Sequence, residues 1–241
     1  MNYCKILGLI LCTLPMASSA YAKESNSIAQ NNIVLHDRAH DRKIPIAIYR
    51  NNADTANSQL PVVMISHGYG VKNTEYSFIA NSLAEQGYHV ISIQHDLNDD
   101  PSLPRTGNLY QLRMPFWKRG VQSLNFVIDN MSENHPELDM RKVILIGHSN
   151  GGDISMMFAE KYPRKVKKVI SLDSLRYPFP TSGNILSLRA KDTSADSGVL
   201  AKNPNAKIIQ MSHAKHIDMY DAGPCDVKAK IIEHINDFLQ A

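Results

Sequence analysis

One short segment of the chain carries a serine in a setting that favours nucleophilic chemistry. Residues 143–146 are aliphatic and typical of a buried strand; a Gly-x-Ser-x-Gly turn over residues 147–151 and a helical pattern follow. A serine at such a turn takes strained backbone angles, and its hydroxyl points away from the sheet. The N–H groups that open the following helix add partial positive charge nearby. The pattern predicts Ser149 as a catalytic nucleophile.

A serine nucleophile needs a base, and three histidines follow Ser149 in the sequence. In enzymes built around such a turn, the acid and then the histidine come after the serine along the chain. His234 falls in the last predicted helix, where a solvated surface position is expected. His213 and His216 both follow the predicted strand over residues 207–211. We predict His216 as the base, because it lies further along the loop and can reach back over the sheet; His213 is the alternative.

The base in turn needs a carboxylate that orients its imidazole ring. We expect this acid after the predicted strand over residues 185–188. Asp192 and Asp196 both stand there, and we predict Asp192, with Asp196 as the alternative acid. Whichever carboxylate is not used is expected to cap the loop.

An acyl-transfer intermediate also needs two N–H donors for its oxyanion. Asn150, next to the nucleophile, is predicted to supply one. The second is predicted at Tyr69, in a His-Gly-Tyr-Gly segment that directly follows the early strand over residues 61–66. Gly68 lets the backbone turn there. His67 precedes the serine along the chain, so we interpret it as a structural histidine rather than the base.

The elements that must position these residues alternate along the chain. Two short apolar runs near the N-terminus, joined by a charged segment, predict an antiparallel pair. Beyond residue 60, strands alternate with helices, which predicts a mostly parallel sheet covered by helices on both faces. The predicted strands are 33–35, 45–49, 61–66, 88–94, 142–146, 166–172, 185–188 and 207–211, and the predicted helices are 74–86, 119–133, 151–161 and 227–238.

The first 22 residues have the pattern of a signal peptide. Lys5 precedes a mostly apolar stretch, and the segment ends in Ala20-Tyr21-Ala22, a small-x-small cleavage pattern. We therefore expect an exported protein, periplasmic or secreted, whose mature domain spans residues 23–241. Cleavage would leave Cys225 as the sole cysteine, so no internal disulfide is expected.

Composition and charge favour a soluble domain, and the predicted partner is a small-molecule ester substrate. The formal net charge is only +3 and the basic residues are scattered, so no nucleic-acid partner is expected. No second apolar run is long enough for a permanent membrane anchor. No His, Asp or Glu cluster has the spacing of metal ligands, and no metal or organic cofactor is predicted.

The motifs together carry a resemblance to a known family. The sequence resembles single-domain esterases of the α/β-hydrolase superfamily, near the dienelactone-hydrolase and cutinase-like branches. The matching pieces are His-Gly-Tyr-Gly, Gly-His-Ser-Asn-Gly-Gly, Asp-Thr-Ser-Ala and Lys-His-Ile-Asp. The resemblance implies an α/β-hydrolase fold, a triad of Ser149, His216 and Asp192, and an oxyanion hole at Tyr69 and Asn150. The segment between Asp173 and Asn184 is short, so little or no lid is expected.

The expected function is hydrolysis of a carboxylic ester through an acyl-enzyme. Thioesterase, lipase and peptidase activities remain open, because fold and triad do not fix the substrate. The alternative from another class is a catalytically silent protein of the same fold that only binds ligands.

Overall fold

A central sheet organises the part of the chain that the structure describes. The computed structural model describes residues 27–52, 59–200 and 203–241; the predicted signal peptide, residues 1–22, lies outside them. The strands are β1 (Ile28–Asp37), β2 (Arg42–Asn51), β3 (Leu60–Ser66), β4 (His89–Ile93), β5 (Leu138–His148), β6 (Val166–Leu172), β7 (Ile185–Ala190) and β8 (Lys207–Met211). The helices are α1 (Ser77–Glu85), α2 (Leu109–Asn134), α3 (Asn150–Lys161) and α4 (Cys225–Gln240), with short 3₁₀ helices at Pro163–Lys165 and His216–Asp218.

The strand order brings the loops that carry the predicted site residues to one edge of the sheet. The order is β1-β2-β4-β3-β5-β6-β7-β8. β2 pairs antiparallel with both β1 and β4, whereas every pair from β4 through β3 to β8 is parallel. Because parallel strands end at the same edge, the segments that follow β3, β5, β6, β7 and β8 meet there.

Helices bury apolar side chains against both faces of the sheet. α2 and α3 cover one face, through residues such as Leu124 and Phe158. α1 and α4 cover the other face, through residues such as Leu83 and Ile231. The predicted class, a mostly parallel sheet between two helical layers, is confirmed. None of the described helices is long and apolar enough to cross a membrane.

The largest difference from the predicted elements is at the start of α2. The sequence predicts a start at residue 119, but the helix begins at Leu109, and Asn108 caps it by accepting a hydrogen bond from the Gln111 N–H. The added turns contain Pro115, which lacks a backbone donor. Contacts with other parts of the fold accompany these turns: the rings of Tyr110 and Trp117 lie 6.1 Å and 5.6 Å from the Tyr177 ring, and the Trp117 indole donates to Asn150. Tertiary packing, rather than local preference, therefore extends the helix.

Candidate active site

Ser149 lies on a sharp turn between β5 and α3. Its φ is 51° and its ψ is −118°, so this residue, which has a Cβ, occupies a region that glycine normally favours. β5 ends one residue before it and α3 begins one residue after it. Such strain persists only where the surrounding structure imposes it, and it is common at functional sites.

Two glycines permit this turn because backbone lies against both of them. A Cβ at Gly147 would lie 2.4 Å from the Gly151 carbonyl oxygen. A Cβ at Gly151 would lie 2.2 Å from the Ser66 carbonyl oxygen, at the end of β3. Since neither site has room for a side chain, the first turn of α3 packs directly on β3, and Ser149 is held above the sheet.

His216 meets Ser149 at this edge. Its Nε2 is 2.9 Å from the Ser149 Oγ, and its Nδ1 is 2.6 Å from Asp173 Oδ2. An ionised carboxylate can only accept, so Nδ1 carries the ring proton and Nε2 accepts from the serine hydroxyl. This is the protonation pattern that a general base requires. The alternative histidine, His213, lies elsewhere: together with His234 it lines a separate groove between β8 and α4.

The prediction of the orienting acid is wrong. The carboxylate on the imidazole belongs to Asp173, which directly follows β6, and not to Asp192. Asp192 follows β7 and instead accepts a hydrogen bond from the backbone N–H of His216, at 2.7 Å. Its carboxylate therefore holds the loop rather than the ring. The alternative, Asp196, pairs with Arg176 at 2.7 Å.

Asp173 is completely buried and held from several directions. The Ala190 N–H and the Thr193 hydroxyl donate to its carboxylate, and the Arg189 guanidinium forms an ion pair with it at 2.9 Å. Burial alone would raise the pKa of Asp173. Hydrogen bonds from His216 and Thr193, with the charge of Arg189, outweigh burial and hold that pKa below its usual range. The acid thus stays ionised beside the imidazole.

A signal for Asp173 is present in the sequence. The residue stands directly after the predicted strand 166–172, as Ser149 stands after its own strand. In the structure it also has a positive φ of 55°, a conformation that aspartate tolerates better than most residues. What the sequence does not reveal is which of two neighbouring strand ends faces the histidine.

The two residues predicted as oxyanion donors, Asn150 and Tyr69, lie just after the ends of β5 and β3. Asn150 is the first residue of α3, so its N–H has no partner within the helix. Tyr69 sits in a turn closed by a hydrogen bond from the Val71 N–H to the Gly68 carbonyl, and Gly70 has a φ of 80°. That bond does not use the Tyr69 N–H. The side chain of Asn150 is fixed separately, because its Oδ1 accepts from the Trp117 indole at 2.9 Å.

His67 lies in a network of its own. Its Nδ1 is 2.8 Å from the Gly68 carbonyl oxygen, so Nδ1 carries the proton, and Nε2 accepts from the backbone N–H of His95. Burial lowers its pKa, which favours the neutral ring. These contacts agree with the interpretation of His67 as a structural histidine.

Comparison with known proteins assigns the chain to a family. A family model described as serine aminopeptidase, S33, matches residues 57–178, slightly more than half of the chain. The chain belongs to the serine aminopeptidase S33 family. The matched range includes Ser149 and Asp173, whereas His216 lies beyond it. Together with the fold, this match places the chain in the α/β-hydrolase superfamily.

Individual relatives are distant. A putative non-heme haloperoxidase of Mycobacterium phage D29 is 25% identical over 130 residues, which is 52% of this chain and 40% of that protein. The chain thus matches less than half the length of this relative. Among solved structures, a fungal esterase from Rhizomucor miehei has a TM-score of 0.67 at 15% identity, over 91% of this chain and 84% of that one. A dienelactone hydrolase-like promiscuous phosphotriesterase from metagenomic libraries has a TM-score of 0.65 at 16% identity, over 88% and 98%. At such identities the structures support the fold alone.

Proposed function

We propose that this protein is a serine hydrolase that cleaves carboxylic esters through an acyl-enzyme. The observation that carries the proposal is the unbroken hydrogen-bonded series Ser149, His216 and Asp173, with distances of 2.9 Å and 2.6 Å. Each member has the hydrogen-bond partners that its role demands, and the nucleophile lies at the start of a helix.

The proposed reaction uses each group in turn. The Ser149 Oγ attacks the ester carbonyl while His216 Nε2 takes its proton, and Asp173 stabilises the resulting imidazolium. The N–H groups of Tyr69 and Asn150 stabilise the oxyanion. The imidazolium then protonates the departing alcohol, and water repeats the sequence on the acyl-enzyme to release the acid and regenerate Ser149.

An ester demands less of such a site than an amide does, because an alkoxide departs more readily than an amine nitrogen. The family description nevertheless favours a second candidate, an aminopeptidase activity. Purified protein assayed against p-nitrophenyl esters of increasing chain length and against aminoacyl p-nitroanilides would separate the two. We expect ester hydrolysis that Ser149→Ala abolishes. Turnover of anilides alone would favour the aminopeptidase, and turnover of neither class would favour a protein that only binds ligands.

We also propose that the protein is exported and processed after Ala22. The support is the sequence pattern of residues 1–22. N-terminal sequencing of protein from the periplasmic or culture fraction should begin at Lys23. A retained Met1 in that fraction would contradict this proposal.

A further inference from the structure

His148, the residue before the proposed nucleophile, is buried and takes part in a series of hydrogen bonds that links three segments of the chain. His148 is almost fully buried, and its Nδ1 lies 2.7 Å from the hydroxyl of buried Tyr76. The same hydroxyl is 2.9 Å from the Gly68 backbone nitrogen. Because an N–H can only donate, the Tyr76 hydroxyl accepts a hydrogen bond from Gly68, and it donates a hydrogen bond to His148 Nδ1.

The other ring nitrogen of His148 contacts the loop that carries the base. Nε2 is 3.1 Å from the backbone carbonyl oxygen of His216, and a carbonyl can only accept, so Nε2 carries the ring proton. Burial, followed by the nearby charge of His216, lowers the pKa of His148 to about 3, which keeps the ring neutral. All three bonds therefore have one fixed direction, from Gly68 through Tyr76 and His148 to His216.

This series joins the three segments that the proposed reaction must hold together. Gly68 precedes Tyr69, the proposed oxyanion donor; His148 precedes Ser149; and the series ends on the backbone of His216. The imidazole rings of His148 and His216 also pack with their centroids 4.9 Å apart. A Cβ at Gly68 would lie 2.9 Å from His148 Nδ1, so no side chain could be inserted between them.

The loop of His216 is held at both backbone polar groups. Its N–H donates to Asp192 and its carbonyl accepts from His148. The segment that carries Tyr76 is also bound to the loop of His216. Asp221, five residues after His216, accepts hydrogen bonds from the N–H groups of Ser77 and Phe78 at the start of α1. The imidazole of His216 is thereby left to contact Ser149 and Asp173.

We propose that Tyr76 and His148 are positioning residues for the reaction. They set the distance from the His216 imidazole to the Ser149 hydroxyl and the orientation of the turn that carries the Tyr69 N–H. Neither touches the reacting atoms. The proposal rests on the proposed function, and it goes beyond it because it assigns the alignment of the site to side chains outside the triad and the oxyanion hole.

The direct test is Tyr76→Phe, with Tyr49→Phe as the matched control. Both tyrosines are buried to the same degree, but the Tyr49 hydroxyl has no hydrogen-bond partner among the described residues. We expect Tyr76→Phe to lower kcat about ten- to a hundredfold with little change in KM, since small misalignments cost about that much. Tyr49→Phe should stay within about twofold of wild type. Equal kcat values for the two variants, each folded by circular dichroism, would overturn the proposal.

A second pair of variants tests His148 and the continuity of the series. His148→Gln keeps a side-chain N–H donor that can reach the His216 carbonyl, whereas His148→Leu has no side-chain donor. His148→Gln should therefore retain clearly more kcat than His148→Leu. If the groups act as one series, Tyr76→Phe combined with His148→Leu should lose no more kcat than His148→Leu alone. Equal activity of the Gln and Leu variants, or additive losses in the double variant, would contradict the proposal.

The outcomes remain distinct from those for the proposed function. If Ser149→Ala retains full ester hydrolysis, the triad itself is wrong. If Ser149→Ala is inactive but Tyr76→Phe matches Tyr49→Phe, only the positioning role fails.

Discussion

Exchanging Asp173 for asparagine tests the corrected triad, because the surroundings of the carboxylate dictate how an amide must sit. The Oδ1 side faces two donors, the Ala190 N–H and the Arg189 guanidinium. An NH₂ group there would place donor against donor. The amide of Asp173→Asn must therefore keep its oxygen on that side and point its NH₂ at His216 Nδ1.

The consequence is a change of tautomer at the base. A ring that accepts at Nδ1 carries its proton on Nε2, and it can no longer take the Ser149 proton. The serine-protease precedent for such a change is a loss of about 10⁴ in kcat, which corresponds to about 5 kcal/mol of transition-state stabilisation. We expect a loss of that order for Asp173→Asn with KM little changed.

Asp192→Asn is the matched control for this prediction. Asp192 accepts from the His216 backbone N–H, and an asparagine oxygen can accept there equally well. We expect its kcat to stay within about tenfold of wild type. Both variants are assayed for p-nitrophenyl ester hydrolysis at a temperature well below their measured unfolding transitions, because Asp173→Asn also leaves Arg189 without its ionic partner. A greater loss in Asp192→Asn than in Asp173→Asn would refute the reasoning.

Two further predictions concern the turn that carries Ser149 and a buried carboxylate. Gly151→Ala should destabilise the fold by about 1–3 kcal/mol or more and abolish ester hydrolysis, because its Cβ meets the β3 backbone. At Gly198 only the φ of 80° is unfavourable, and a Cβ there would meet no atom of the described residues within 4 Å, so Gly198→Ala should cost about 1 kcal/mol and leave activity intact. Equal effects of the two substitutions in urea unfolding and activity assays would contradict the predicted clash at Gly151. Burial raises the pKa of Asp153 to about 6 in the folded chain, above the ordinary 3.8, so wild-type stability should fall as pH rises from about 4 through 6. Asp153→Asn should lack this fall, which amounts to about 3 kcal/mol at most; parallel stability curves for the two proteins from pH 4 to 7 would count against it.

The elements that sequence predicts well are those whose local pattern agrees with their tertiary setting. The predicted strand over residues 166–172 coincides with β6, and the one over residues 207–211 coincides with β8. Both contain adjacent or near-adjacent β-branched residues, which favour extended backbone: Val166, Val169 and Ile170 in β6, and Ile208 and Ile209 in β8. Ser149 could be predicted from the glycines on either side of it, because the structure leaves no room for a side chain at Gly147 or Gly151. The start of α2 is not apparent, because its first turns depend on contacts of Tyr110 and Trp117 with Tyr177, a residue distant in the chain.

The acid could not be chosen from the sequence because the choice depends on distance across the sheet. Asp173 and Asp192 both follow strand ends, and both contact His216. Asp173 contacts the His216 ring and Asp192 contacts the His216 backbone. This difference depends on the conformation of the loops, which the sequence does not show. The buried partner Arg189 gives no local pattern either, since its ion pair with Asp173 spans β7 and the end of β6. The series through Tyr76 and His148 likewise joins residues distant in the chain.

The central claim is that Ser149 is an activated nucleophile, and covalent labelling tests it most directly. Folded wild-type protein is treated with a fluorophosphonate probe and mapped by peptide mass spectrometry, with heat-unfolded protein and Ser149→Ala as controls. We predict one adduct, on Ser149, that forms only on the folded wild-type chain. Absence of an adduct, or labelling at another residue that persists in Ser149→Ala, would contradict the account.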